Sequence, residues 1–253
     1  MTDVKPCAAK GHSDLILEWD QLAEERHRQI EAGEDLSFEH VLVPTTLRLL
    51  EAADVACVVD IGCGAGDFTA RLARVARRVV GVEPSGASVA VARRVCRGAT
   101  NVRFLQAPLE DTVADIRIEG PTSAVALMTL MTTPNLESFV EALAGVLQPG
   151  AVFVATLSHP WFWSRYWGYD AAAWFSYSRE TFIEAPFAIS KRRSELRTTH
   201  VHRPLERYLT AFGELGFTLD ALAEPMPSNE VEALYPKAWQ FPRFISLRWT
   251  KAV

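Results

Sequence analysis

Cysteine is scarce in this chain: Cys7, Cys57, Cys63 and Cys96 are the only four in 253 residues. None forms a Cys-x-x-Cys pair and no histidine cluster completes a ligand set, so no metal site is expected. Long apolar runs are lacking too. No stretch approaches the eighteen or so residues of a membrane span, and the first ten residues lack the apolar run of a signal peptide. A cytoplasmic setting without a membrane partner is the expectation. Positive charge is short as well: 26 Lys and Arg against 31 Asp and Glu leave a formal net charge of −5. That balance argues against nucleic acid as the partner. The one basic run, Lys191-Arg192-Arg193, reads as a solvated loop. Internal repeats and low-complexity tracts are absent. Hydrophobic residues at 49% and charged residues at 23% exclude general disorder, and the length suffices for one sizeable core.

What is present is a clear periodic pattern. Leu15, Trp19, Leu22, Ala23, Arg26 and Ile30 follow helical spacing, which predicts a helix from Asp14 to Ala32 with Ser13 as its cap and Gly33 as its stop. A second helix is predicted over 45–53, after Pro44. Then the period changes. Ala56 to Ile61 is an apolar run ending at a glycine turn, as expected of a strand buried on both faces. Helices at 68–76, 87–97 and 136–147 alternate with strands at 78–82, 102–105, 124–130 and 151–157. This predicts an α/β fold, a parallel sheet with helices on both faces and right-handed connections.

After Leu157 the pattern breaks. Nine of the seventeen residues from Trp161 to Tyr177 are aromatic, and residues 181–201 read as extended pieces joined by the basic turn. A helix at 205–215 and strands at 217–224 and 244–250 follow. The expected organisation is one domain. It has an N-terminal helical lid (1–53), a core (54–157), an aromatic-rich cap inserted after the fifth strand (158–203) and the end of the core sheet (204–253).

The chemistry concentrates at Val58-Val59-Asp60-Ile61-Gly62-Cys63-Gly64-Ala65-Gly66, a strand running into a glycine turn and a helix start. Nicotinamide and flavin folds carry G-x-G-x-x-G in the same place, so the loop alone does not choose a cofactor. Asp60 does. A pyrophosphate at the following helix N-terminus would be repelled by an adjacent carboxylate. A ligand carrying an ammonium and a sulfonium would be favoured by it. Glu83, 21 residues after Gly62, is placed to accept hydrogen bonds from ribose hydroxyls.

These segments resemble a known family. Asp60 to Gly66 and Val80-Gly81-Val82-Glu83-Pro84-Ser85 look like the first two motifs of the class I S-adenosylmethionine-dependent methyltransferases, and Leu147 to Phe153 resembles that family's turn into its fifth strand. The resemblance covers roughly Val55 to Leu157. It implies a Rossmann-like seven-stranded sheet, mostly parallel with the last strand antiparallel, and S-adenosyl-L-methionine as cofactor with S-adenosyl-L-homocysteine as product. By resemblance, Asp60, Gly62 and Gly64 hold the methionyl end and Glu83 the ribose. The acidic pair that the family often places after the third strand is replaced here by Ala107-Pro108. Adenine is then expected against Pro108, Leu109 and Met128, with Glu110 and Gln106 as open alternatives for its amine.

The acceptor leaves fainter marks. His159, directly after the fifth strand, is the candidate general base, against the bland alternative of a histidine that only ties a turn before Pro160. Trp161, Trp163, Tyr166, Trp167 and His200 are the candidate acceptor contacts, the aromatic stretch otherwise serving to pack the cap. Met131-Thr132-Thr133-Pro134-Asn135 lacks the Asn/Asp-Pro-Pro-aromatic motif of base amino-methyltransferases. A small, mostly apolar or aromatic metabolite, oxygen or carbon before nitrogen, and a role in secondary metabolism are the expectations. The rivals are an S-adenosylmethionine-binding protein without turnover and an NAD-dependent oxidoreductase. Oligomeric state stays open.

Overall fold

The computed structural model describes residues 3–252. A two-residue strand, β1 (Lys5–Pro6), precedes helix α1 (His12–Glu31) and, after a π-helical turn at Phe38–Leu42, helix α2 (Val43–Leu50). The alternating core runs β2 (Cys57–Ile61), α3 (Asp67–Leu72), β3 (Arg78–Val82), α4 (Gly86–Val95), β4 (Val102–Leu105), α5 (Val113–Arg117), β5 (Ser123–Leu127), α6 (Leu136–Val146) and β6 (Val152–Ser158). Helix α7 (Trp163–Trp167) and the hairpin β7 (Thr181–Ala188) and β8 (Arg193–His202) follow. Then come α8 (Leu205–Glu214), β9 (Phe217–Ala223), α9 (Asn229–Glu232) and β10 (Phe244–Lys251).

Seven strands form the central sheet in the order β4-β3-β2-β5-β6-β10-β9. All are parallel except β10, which runs antiparallel to both β6 and β9. The continuous apolar strands explain the layering. Val59, Ile61 and Val80 point into one core beneath α6 and α8, while Val58, Val79 and Val154 point into the other with Phe68, Leu72 and Leu49. A side chain on either face of β2 is therefore buried, as an apolar run without alternation requires. No helix among the described residues is long and apolar enough to cross a membrane.

The ends of elements depart from the sequence reading for local reasons. Helix α1 starts at His12, and its N-cap is Gly11, whose backbone N–H donates to Asp14 Oδ2 at 3.1 Å; Ser13 sits inside the first turn and does not cap it. Helix α2 begins two residues early, because the π-helical turn Phe38–Leu42 runs directly into it at Val43. Strand β5 stops at Leu127, not at Leu130. Met128 takes φ of 60°, which no strand accommodates, and Leu130–Thr132 form a 3₁₀ turn.

The cap is a second sheet. Strands β7 and β8 pair antiparallel, and β1 joins the edge of β7 with Lys5 opposite Glu184. The basic run is the exposed turn of this hairpin. A further correction concerns residues 224–243, read from sequence as part of the core sheet's end. They leave the sheet instead and pack Tyr235 and Trp239 against Leu36, Val41, Leu42 and Phe244 on the cap side.

Candidate functional site

The turn after β2 builds one wall of a cleft. Gly62, Gly64 and Gly66 all have positive φ (67°, 52° and 82°). Contact requires glycine at two of them. A Cβ on Gly62 would lie 2.4 Å from Thr129 Oγ1, and one on Gly66 would lie 2.8 Å from Ala92 Cα. The first approach brings the loop after β2 against the loop after β5, where the strand order reverses. Open α/β sheets bind ligands at that point.

Asp60, near the end of β2, is 1% exposed, and its Oδ2 accepts a 2.6 Å hydrogen bond from Thr69 Oγ1. Burial pushes its pKa up to about 7. Glu83 follows β3 and accepts the N–H of Ser85 on Oε1 at 2.8 Å and that of Gly64 on Oε2 at 3.0 Å. Those two donors favour its charged form, but burial outweighs them and pushes it up to about 7 as well. Both line the cleft together with Gly62, Gly64, Pro108, Leu109 and Met128. The seven residues assigned to a cofactor from sequence thus surround one space.

Two more carboxyls face it. Asp67 Oδ1 lies 3.0 Å from His27 Nδ1, and burial raises the Asp67 pKa despite that neighbour. Glu110 Oε1 stands 3.6 Å from His12 Nε2. Asp67 Oδ2 and Glu110 Oε1 are buried with no hydrogen-bond partner among the described residues. One face of α1 roofs the cleft with His12, Leu15, Trp19, Ala23 and Arg26, the three-to-four spacing of a single helix stripe. Asp20 pins that roof, its Oδ1 accepting from Ser85 Oγ at 2.6 Å and from the Ala87 N–H at 3.1 Å.

A second cavity adjoins the first, and Trp19, Arg26, Met128 and Thr132 line both. Met128 is the one non-glycine with positive φ among the described residues, so the strained backbone lies at the junction. Trp163, Tyr166 and Trp167 of α7, Phe187 of β7 and His200 of β8 wall the second cavity. His200 Nε2 lies 3.3 Å from the buried Tyr169 hydroxyl. Burial, with His202 beside it, pushes the His200 pKa down to about 3, so the imidazole is neutral.

Comparison with known proteins agrees with this architecture. Residues 58–150 match the family model described as a methyltransferase domain. That stretch holds Asp60, the glycine loop and Glu83, the segments whose pattern resembles the S-adenosylmethionine-dependent methyltransferases. Its curated relatives include the 23S rRNA (uracil(1939)-C(5))-methyltransferase of Aeromonas hydrophila, 45% identical over 75 residues that cover 29% of this chain and 17% of that protein. Another is the ubiquinone biosynthesis O-methyltransferase of a Methylobacterium, 31% identical over 99 residues and 39% of each chain. The match thus spans well under half the length of either relative. A solved S-adenosylmethionine-dependent methyltransferase from Clostridium acetobutylicum shares the fold at a TM-score of 0.61 and 14% identity, covering 93% of this chain and 99% of that one.

The cleft suits S-adenosylmethionine in the chemistry of its lining. Its lining carries four carboxyls (Asp60, Asp67, Glu83 and Glu110), two of whose oxygens have no hydrogen-bond partner among the described residues, while its one arginine, Arg26, is paired with Asp35. Beside its one α-carboxylate, S-adenosylmethionine presents an ammonium, a sulfonium, ribose hydroxyls and an amine, each a cation or a hydrogen-bond donor. A pyrophosphate would meet like charge at every one of those carboxyls.

His159 does not fit the role of general base. It is 5% exposed and lines neither cavity, and both ring nitrogens are engaged. Nε2 lies 2.8 Å from Glu224 Oε1, and Nδ1 accepts the N–H groups of Trp161 and Phe162 at 3.2 and 3.4 Å. It ties the turn that leaves β6. Trp161 likewise turns away: it is 59% exposed and packs edge-on against Tyr177. His202 Nε2 donates to the Tyr177 carbonyl at 2.9 Å, within the cap. Sequence reasoning missed Asp67, Thr129, Thr132 and Arg26. For Asp67 the signal was available, since it opens the helix directly after the glycine loop. For Thr129 and Thr132 none was, because their role depends on where β5 ends.

Proposed function

We propose that this chain transfers a methyl group from S-adenosylmethionine to a small metabolite with an apolar or aromatic body. The observation that carries the proposal is that the acidic cleft and the aromatic cavity adjoin at Met128 and Thr132, which line both. S-adenosylmethionine, when bound, supplies a methyl group on a sulfonium carbon already activated toward in-line displacement. The protein's task is then orientation and exclusion of water. Asp60 and Asp67 hold the methionyl ammonium, Glu83 accepts from the ribose hydroxyls, and Glu110, beside Pro108 and Leu109, accepts from the adenine amine. Trp19 and the rest of the α1 stripe cover the cleft. Trp163, Tyr166 and Trp167 bind the acceptor's apolar faces. Neutral His200, whose Nδ1 makes no hydrogen bond among the described residues, accepts from an acceptor hydroxyl and sets its lone pair toward the cleft. With His159 engaged elsewhere, the preference for an oxygen acceptor rests on His200.

The test is calorimetric titration with S-adenosylhomocysteine and with NAD⁺. Micromolar binding of the first alone is expected, weakened about tenfold or more by Asp60→Ala and by Glu83→Ala, each of which removes a charge-assisted contact. Binding of NAD⁺ alone, or of neither ligand, would sink the assignment. An RNA acceptor, the substrate named for one group of relatives, predicts instead turnover on RNA and none on metabolites.

Binding also carries a pH signature. Asp60 and Glu83 ionise at about 7 in the ligand-free fold, whereas in the unfolded chain both ionise near pH 4. Between those limits the folded state holds more protons, so ligand-free stability falls as pH rises through the window. A cationic ligand needs both carboxylates charged. Affinity for S-adenosylmethionine is therefore expected to rise from about pH 5 to about pH 8, read as a growing ligand-induced rise in melting temperature. A flat profile would mean that neither carboxyl meets the ligand.

A further inference from the structure

The aromatic cavity ends on a buried cation that makes no ion pair among the described residues, although the Glu232 carboxylate lies near enough to favour its charge. Arg243, just before β10, is 8% exposed and lines the cavity. Its guanidinium carbon lies over the rings of Trp239 and Tyr166, 4.3 and 4.4 Å from their centres, with Tyr235 at 5.5 Å. Such ring contacts supply no in-plane acceptor for its N–H groups. One is used weakly, Nη2 donating to the Lys237 carbonyl at 3.4 Å, and no carboxylate lies within salt-bridge distance among the described residues. The one carboxylate lining this cavity, Asp35, is already paired with Arg26 at 2.7 Å. Burial accordingly pushes the Arg243 pKa down.

An independent feature points the same way. Beyond Tyr166 and Trp167 the cavity adjoins an outer hollow, also lined by Arg243, whose other charged residues are Arg165, Arg193, Lys237 and Asp3. Asp3 is committed to Arg193 at 3.2 Å and Arg197 at 3.1 Å. In a chain of net charge −5, the outer side of the acceptor cavity is thus positive, from the hollow inward to Arg243. A planar guanidinium with free in-plane donors matches the two oxygens of a carboxylate or phosphoryl group.

We infer that the methyl acceptor carries an oxyanion, a carboxylate or a phosphoryl group, which Arg243 binds while the acceptor's body lies against Trp163 and Trp167. This rests on the methyl-transfer reading above. The oxyanion anchors the acceptor at the end of the cavity away from the cleft and leaves its nucleophile toward Met128. The basic mouth draws the anion in and makes its capture sensitive to salt.

Benzoate, phenyl phosphate and neutral benzamide serve as probes, titrated into the protein saturated with S-adenosylhomocysteine and, separately, into the protein alone. Benzoate or phenyl phosphate is expected to bind at millimolar concentration or below and benzamide not to; whichever anion binds tighter identifies the oxyanion. Arg243→Met should weaken that anion about 10- to 100-fold and leave S-adenosylhomocysteine binding intact. Arg243→Lys, which keeps charge but not the planar fork, should fall between. Should the Arg243 variants not fold, two measurements stand in their place. Exposed Lys237→Gln should weaken the anion about 2- to 5-fold, and added salt should weaken it in the unaltered protein. Equal binding of benzamide, no binding of either anion, or anion affinity indifferent to Arg243, Lys237 and salt would overturn the inference. Failure of S-adenosylhomocysteine to bind would instead strike the cofactor reading, and the probe titrations without it still decide the role of Arg243.

Discussion

Gly62→Ala is expected to reduce S-adenosylhomocysteine affinity by about 100-fold or more and to lower the melting temperature by roughly 5–12 °C. Two effects combine. An alanine held at φ of 67° costs about 1–2 kcal/mol by itself. The new Cβ would also sit 2.4 Å from Thr129 Oγ1 and 2.5 Å from Thr129 Cγ2. Thr129 has little room to yield, because its hydroxyl donates to the Ile61 carbonyl at 3.0 Å, with Leu127 O at 3.4 Å. The two loops must separate, for a total of roughly 2–4 kcal/mol. Separation carries the Gly64 N–H away from Glu83 and widens the cleft where the methionyl end is proposed to lie. Gly98→Ala is the control: it has no positive φ and no neighbour within 4 Å of the added Cβ. Calorimetry and thermal melting of both variants check this. Full affinity in Gly62→Ala would show that the cofactor does not rest on the glycine loop.

The cofactor cleft was legible in the sequence because its residues are local to strand ends. Asp60 and Glu83 sit at the mouths of strands that an apolar run announces, and the glycines mark the turn. Strand order then brings them together without further information. The acceptor cavity was only half legible, since it is built from long-range contacts. Aromatic residues at 161–177 announced a wall but not which rings face inward: within two residues the chain places Trp161 in solvent and Trp163 in the cavity. His159 was misleading for a physical reason. A histidine at a strand end looks the same in sequence whether its nitrogens are free or tied, and here Glu224, 65 residues away, ties one of them. Arg243 left no periodic signal at all. The clue was the gap from 224 to 243, with four prolines and no predicted element, which is too long for the hairpin that joins β9 to β10.

Arg203→Met should destabilise the fold by about 2–4 kcal/mol and weaken cofactor and acceptor together. Arg203 follows β8 and is 1% exposed. Its Nε donates to Glu180 Oε2 at 2.6 Å, Nη1 to the Leu130 carbonyl at 3.3 Å, and Nη2 to the carbonyls of Thr133 and Pro134 at 2.9 and 3.1 Å. One side chain therefore fastens the cap hairpin to the loop after β5, whose Thr132, Thr133 and Pro134 line the cleft. Glu180 is partly exposed and can return to water, so the loss falls mainly on the three buried carbonyls, each left without a donor. Glu180→Gln should for the same reason cost no more than about 1 kcal/mol. The readout that separates fastening from bulk is amide hydrogen exchange. In Arg203→Met, protection should fall at residues 130–134 before it falls in the central sheet, whereas loss of volume alone would lower both together. Arg203→Lys can satisfy one acceptor at a time and should recover part of the stability but little of the loop's protection. A methionine variant with unchanged melting and unchanged exchange at 130–134 would mean that the loop is held by its own 3₁₀ turn. The cap would then be free to move independently of the cleft.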